Sequence, residues 1–210
     1  MANVMAPKGF VPVRHLSGQP YNGGHQLFLI DSGDGTAVGI GDLVKQAGAA
    51  GSAGQVVHGM DAEGIPTAII ASAGTTGLDL LGPVIGFLAD PTNINPPQYR
   101  TASTSRIAMV CTDRSVVYEV QEDADTTPLT KLEVGLNIPY TTTSLNTATG
   151  ISKMAIDSSA AATTSTLPFK IVGLTKRVGN AFNTGGSLVD AATFDVVMNT
   201  YADMPLNQGN

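Results

Sequence analysis

The side chains that could do chemistry in this chain are few, and their spacing does not favour it. The three histidines, His15, His25 and His58, form no HxH, HxxxH or HExxH pattern, so a zinc site would have to be assembled from distant segments. Asp31 and Asp34 suggest a calcium loop, but Gly33 and Gly35 stand at alternate ligand positions and no Glu follows at the twelfth place. Glu119, Glu122, Asp123 and Asp125 could hold a cation weakly. Strand alternation separates those carboxylates, and a solvated acidic loop is the better reading. Gly33, Gly35, Gly39 and Gly41 match neither the dinucleotide fingerprint nor the P-loop, so they are read as turn and bulge positions. There is no GxSxG, and the serines are too many for a Ser-His-Asp choice to mean anything. With no Trp and 5% aromatic residues, a sugar-stacking cleft between paired carboxylates has little to be built from. Cys111 is the only cysteine, which excludes an intrachain disulfide. It sits in an apolar run and reads as a small hydrophobe. The expectation is a protein that is not an enzyme, with no catalytic residues, no metal and no cofactor.

The elements that must carry these side chains read as strands. Residues 106–112 hold Ile107, Ala108, Met109, Val110 and Cys111 without a polar break, as in a strand covered on both faces. Asp113, Arg114 and Ser115 supply turn chemistry. In the return, Val116, Tyr118 and Val120 share one face, with Val117, Glu119 and Gln121 on the other, half-solvated one. This stretch is expected to be a hairpin at the centre of the core. It ends in Glu122-Asp123-Ala124-Asp125, which carries too much charge to be buried.

Along the rest of the chain, strands are expected over 26–30, 65–72, 83–88, 167–178 and 187–200. Residues 37–45 should bury Val38, Ile40, Leu43 and Val44. Pro66 places the start of its strand at an edge, and Gly86 marks a bulge. Residues 46–59 read as a loop or a weakly paired edge, and 129–140 as one or two short strands. Residues 151–156 return to the core. Residues 157–166, rich in Ser, Ala and Thr, form a surface loop. With 24 Gly and 12 Pro interrupting every apolar run, the fold class is all-β: a jelly-roll-like β-sandwich or a β-barrel.

Residues 1–24 contain Pro7, Pro12 and Pro20 and basic side chains without an acid, in a chain of net charge −6. They are read as an extended N-terminal arm across a neighbouring subunit, with Phe10, Arg14, His15 and Tyr21 as the partner contacts. The alternative is a terminus ordered only where its apolar side chains touch their own domain. Residues 25–200 form a single β-domain, and 201–210 a loose tail. Only 13% of residues are charged against about 25% usually, and mean hydropathy is +0.13, so part of the surface is expected to be covered by partners. Eleven basic against 17 acidic residues argue against nucleic acid. The longest apolar region, 78–89, is too short and too broken to cross a membrane. Residues 1–10 lack the apolar region of a secretory signal, so synthesis in a reducing cytoplasm is expected.

Four stretches resemble the tailed-bacteriophage head proteins that coat, decorate or cement the outside of a capsid shell. They are YRTASTSRIAMVCTDRSVVYEVQEDAD at 99–125, the opening MANVMAPKGFVPVRHLSGQPYNGG, Asp90-Pro91-Thr92-Asn93, and NTATGISKMAIDSSAAATTSTLPFKIVGL at 146–174. The resemblance implies a capsid decoration or cement protein on the virion exterior. Its partner would be the major capsid protein, and it would work as a homo-oligomer, a dimer or trimer on the lattice. The rival readings are a virion-surface carbohydrate- or host-binding β-domain and a small hydrolase. The major shell protein itself would need a long spine helix, which no stretch here offers.

Overall fold

Extended chain places successive side chains on opposite faces, and fourteen strands among the described residues follow that rule. In chain order they are β1 (Val11–His15), β2 (Gln26–Ile30), β3 (Leu43–Ala50), β4 (Val56–Val57), β5 (Met60–Asp61), β6 (Pro66–Ile70) and β7 (Leu80–Phe87). Then come β8 (Arg106–Val110), β9 (Val116–Gln121), β10 (Asn137–Ile138), β11 (Tyr140–Thr141), β12 (Ala155–Ile156), β13 (Phe169–Leu174) and β14 (Thr193–Met198). A 3-10 turn occupies Ser158–Ala160. This computed structural model describes residues 4–52, 55–73, 79–91, 93, 95–182 and 191–199. The expected tail, 201–210, lies outside them.

The strands form two main bodies. One is a closed barrel in the order β2-β6-β3-β7-β8; the other is a sheet in the order β1-β9-β14-β13-β10. All pairings in both are antiparallel except β2 with β6. The sheet draws on both ends of the chain, since β1 pairs directly with β9. The whole barrel is therefore an insertion between two neighbouring sheet strands.

Alternation sorts the side chains into three cores. Phe28, Ile30, Val44, Ala68, Val84, Ala108 and Val110 fill the barrel. Leu29 and Ile107, one residue out of phase, pack outside it with Val57 and Ala62 of the β4–β5 region. On another side Leu43, Leu80 and Cys111 join Val116, Tyr118, Phe169, Ile171, Phe194 and Val196 of the sheet in the largest cluster. The barrel wall thus serves all three cores. Strands β7 and β8 are covered on both faces, which is why they read as apolar runs.

Where barrel meets sheet, main chain touches main chain. Phe10 N–H donates to the Gly41 carbonyl (3.0 Å), Gly41 N–H to Val84 (2.7 Å) and Ile40 N–H to Gly150 (2.9 Å). A Cβ on Gly9 would stand 2.3 Å from the Gly41 oxygen, and the Gly9 φ is +69°, so only glycine fits. Asp42 is buried in this seam, its Oδ2 accepting from Gly39 N–H at 2.7 Å. Burial pushes its carboxyl up to about 6, against the pull of the Ser152 hydroxyl and the Gly39 amide.

Several expectations are corrected. Residues 106–110 and 116–121 are strands, but they do not form a hairpin. β8 pairs with β2 and β7 in the barrel, and β9 with β1 and β14 in the sheet, so the turn at 111–115 is a crossing between bodies. The second face of β9 is not half-solvated. Val117 lies in register between Arg14 and Val197, and Gln121 is covered by the opening segment. Glu122 is fully buried rather than solvated. Pro66 does begin its strand, yet β6 pairs on both sides, because closure leaves the barrel no edge. Residues 46–50, expected as a loop or a weakly paired edge, extend β3, with a register shift in their pairing to β6 between Gln46 and Ala50. The Gly86 bulge is present as a register shift between Val84 and Gly86.

Candidate functional site

The opening segment is where partner contacts are expected, and the structure distributes those residues unevenly. Phe10 is the clear correction. It is 1% exposed, stacked on Phe169 (ring centroids 4.5 Å apart) and edge-on to Tyr140, so it is a core residue and not a partner contact. The segment does not stand off as an arm. Residues 11–15 are strand β1, and the chain before them is clipped down by the Gln121 amide. That amide accepts from Ala6 N–H (2.9 Å) and donates to the carbonyls of Val4 (2.8 Å) and Ala191 (2.7 Å).

Arg14 reaches across the outer face of the sheet to Asp195, 3.0 Å away. Thr175 donates to the other oxygen of that carboxylate (2.6 Å), and Arg177 pairs with Glu119 at 2.8 Å. His15 stands at the neck where the chain leaves the sheet for the barrel and later returns. Its Nδ1 lies 2.9 Å from Ser115 Oγ and 3.4 Å from Asp113 Oδ2. The Ser115 amide holds the Asp113 carboxyl below its ordinary value, and the Ser115 hydroxyl and His15 add to the effect. Ser, His and Asp meet here, but one imidazole nitrogen faces both partners and Ser115 Oγ donates to Asp113, so no proton relay is set up. Tyr21 is half-buried and donates to Gly24 O. Within the opening segment the exposed large apolar side chains among the described residues are Val4 (76%), Leu16 (54%) and Val11 (38%).

Four charged side chains are buried among the described residues: Asp42, Arg100, Arg106 and Glu122. Each bonds to main chain. Arg100 donates to the carbonyls of Asp31, Asp34, Thr36 and Thr104, at 2.5 to 2.7 Å. Arg106 donates to those of Pro97 and Tyr99. Glu122 accepts from Leu129 N–H and Ala192 N–H, both at 2.8 Å. Burial raises its carboxyl above the ordinary value, and the two amides only partly offset that. Sequence reasoning missed Asp42, Arg100 and Arg106 as buried charges and placed Glu122 in solvent. Their one local signal is a charge abutting an apolar strand, as Arg106 and Glu122 do.

The other carboxylates are also engaged locally. Asp31 accepts from Gly33 N–H and Gln55 Nε2, and Asp34 from Thr36 N–H, so the apparent calcium loop is a pair of Asx-type turns. Asp123, Asp125 and Asp157 bring one oxygen each within 4.8 Å of the others. Those of Asp123 and Asp125 accept from Ser158, and Asp157 caps the 3-10 turn through Ser159. The Ser-Ala-Thr tract is thereby pinned at its start. A cleft of about 740 Å³ runs over the barrel between Asp31, Lys45, Gln55, Thr67 and Ile69, and no aromatic ring lies among its described lining. Comparison with protein-family models, curated proteins and solved structures finds no match.

Proposed function

We propose that this chain is a structural protein of a tailed-phage head, a decoration or cement protein that binds the outer surface and stabilises contacts between major capsid subunits. The observation that carries this reading is the use of the buried charges. All four bond to the chain's own main chain, and neither buried carboxyl, Asp42 nor Glu122, lies in the lining of a described cleft. Such an investment favours a rigid body with a fixed surface, which adhesion needs. The resemblance of the four stretches supplies the partner.

The mechanism is mass action. A ligand that binds the assembled shell and not its dissociated subunits stabilises the shell by about 2.7 kcal/mol per site at a hundredfold excess over Kd. A standard interface of about 1,600 Å² is sufficient for that. Net charge −6 suits the outer face of a DNA-filled shell. Contact is made through the exposed side of the opening segment, Val4, Val11 and Leu16 with Arg14 at the rim. A dimer or trimer on the lattice would multiply a weak single contact.

The test is co-sedimentation of the full chain with purified shells and, separately, with unassembled capsid subunits. Saturable binding to shells alone is expected, weakened at least about tenfold by combining Val4→Asp with Leu16→Asp. Equal binding to free subunits, or none to shells, removes the reading. Deleting residues 1–24 is not a clean test, since losing Phe10 alone costs about 3–5 kcal/mol of folding stability.

A further inference from the structure

We propose that Asn22 is a site of spontaneous covalent modification, where the side-chain amide is lost and the main chain rearranges to isoaspartate. Asn22-Gly23 is the one Asn-Gly pair in the chain. It lies in the exposed, irregular link 22–25, which carries the chain from the sheet to the start of β2 in the barrel. Gly23 has φ +87°, a left-handed conformation that a side chain would strain. The fold itself therefore keeps at this position the residue with no Cβ to shield its amide nitrogen. The space around it is open as well, since a Cβ built there would meet nothing within 4 Å.

Both reacting groups are free. The carbonyls of the link are held, with Tyr21 donating to Gly24 O and His25 Nδ1 lying 2.8 Å from Gly23 O. The Asn22 side chain and the Gly23 N–H have no hydrogen-bond partner among the described residues. The other described asparagines are engaged. Asn93 and Asn146 accept from the amides two residues on, Asn137 and Asn199 donate to carbonyls, and Asn180 is bonded at both ends of its amide. Asn95 precedes a proline, which has no N–H to react. The Asp34-Gly35 pair is tied too, its Oδ1 accepting from Thr36 N–H and its Oδ2 buried.

The chemistry needs only water. The Gly23 nitrogen gives its proton to solvent and attacks Asn22 Cγ. The new N–Cγ bond closes a five-membered succinimide; the Cγ–Nδ2 bond breaks, and Nδ2 takes up a proton and leaves as ammonia. Water then opens the ring. Cleavage at Cγ leaves Asp, and cleavage at the Asn22 carbonyl carbon leaves isoaspartate, whose main chain is longer by one methylene. Either product makes the net charge of −6 one unit more negative. The flanks hold while this happens: Tyr21 N–H donates to Val13 O, and Gln26 is in register with Val110. No unfolding is needed for the link to react. The inference stands apart from the shell reading, and its test uses the isolated chain.

The full-length folded protein is incubated at physiological pH and temperature beside a synthetic peptide of residues 16–30. Peptide mapping by mass spectrometry follows the exchange of amide for acid, and electron-transfer fragmentation separates isoaspartate from Asp. Conversion at Asn22 is expected within about tenfold of the peptide's rate, and Asn137, Asn146 and Asn180 should react at least about tenfold more slowly than Asn22. Gly23→Ala should slow conversion at least about tenfold by restoring a Cβ beside the attacking nitrogen. Asn22→Gln alters an exposed side chain without contacts, so it should leave the fold intact and abolish the product. Conversion more than about tenfold slower than in the peptide, or equal conversion at the bonded asparagines, overturns the proposal. Asp as the sole product also overturns it, since direct hydrolysis would then replace the ring.

Discussion

The barrel and the sheet secure their irregular segments with charges of opposite sign. On the barrel side Arg100 gathers four carbonyls from residues 31–36 and 104, where the turns point their oxygens inward. On the sheet side Glu122 gathers the amides of Leu129 and Ala192, where two segments arrive N–H first. A guanidinium offers five donors and a carboxylate about four acceptor sites, so each is the economical answer to one polarity of converging backbone. The difference teaches that these loops are fixed by which main-chain groups they turn inward, since an unmatched buried group would cost more than the loop gains. It also separates the two bodies in their response to pH. Arg100 stays charged even though burial lowers its pKa, whereas Glu122 and the seam residue Asp42 are carboxyls that burial pushes upward.

The largest effect expected is from Arg100→Met, which leaves four carbonyls without their donor. A loss of about 4 kcal/mol in denaturant unfolding is expected, and a loss below about 1 kcal/mol would show that water can take over the clamp. Glu122→Ala should cost about 3 kcal/mol by the same measurement, with Glu122→Gln intermediate because one amide keeps an acceptor. If the losses in Arg100→Met and Glu122→Ala fall in separate transitions, the barrel and sheet unfold independently. A single transition is expected, because the largest core is shared between them.

Asp42→Asn sharpens the comparison at the seam. The folded carboxyl sits at about 6 against an ordinary 3.8, so the native state holds the proton more tightly than the unfolded chain. Wild-type stability relative to the variant should therefore fall as pH rises from about 4 to about 6, then level off. The total change should be about 3 kcal/mol, the equivalent of that displacement. A flat difference across this window would mean that Asp42 is solvated. The smallest effect belongs to Val178→Asp: this side chain is 98% exposed, and its replacement should move the unfolding midpoint by no more than about 0.5 kcal/mol.

Strand positions were legible because they follow from neighbours two residues apart. β13 and β14 bury Phe169, Ile171, Phe194, Val196 and Met198 as their alternation requires, and the Gly86 bulge falls where glycine signals it. Pairing was not legible at the point that mattered most. Residues 106–121 have the wording of a hairpin, with a turn flanked by apolar strands, yet each strand finds better-buried partners far along the chain. Phe10 looked like one apolar residue among prolines and glycines, and only the ring of Phe169, more than 150 positions away, makes it core.

By itself, then, the sequence determined an all-β chain, the place of most of its strands, and the absence of any recognisable catalytic spacing, all properties of residues close together. Tertiary structure alone decided that the barrel is inserted between two neighbouring sheet strands. It alone decided that Glu122 lies inside, and that Arg106 is buried over the Phe87 ring. The reason is physical. The free energy of a buried charge depends on which distant amides and carbonyls surround it, and no local pattern of residue types records their arrival.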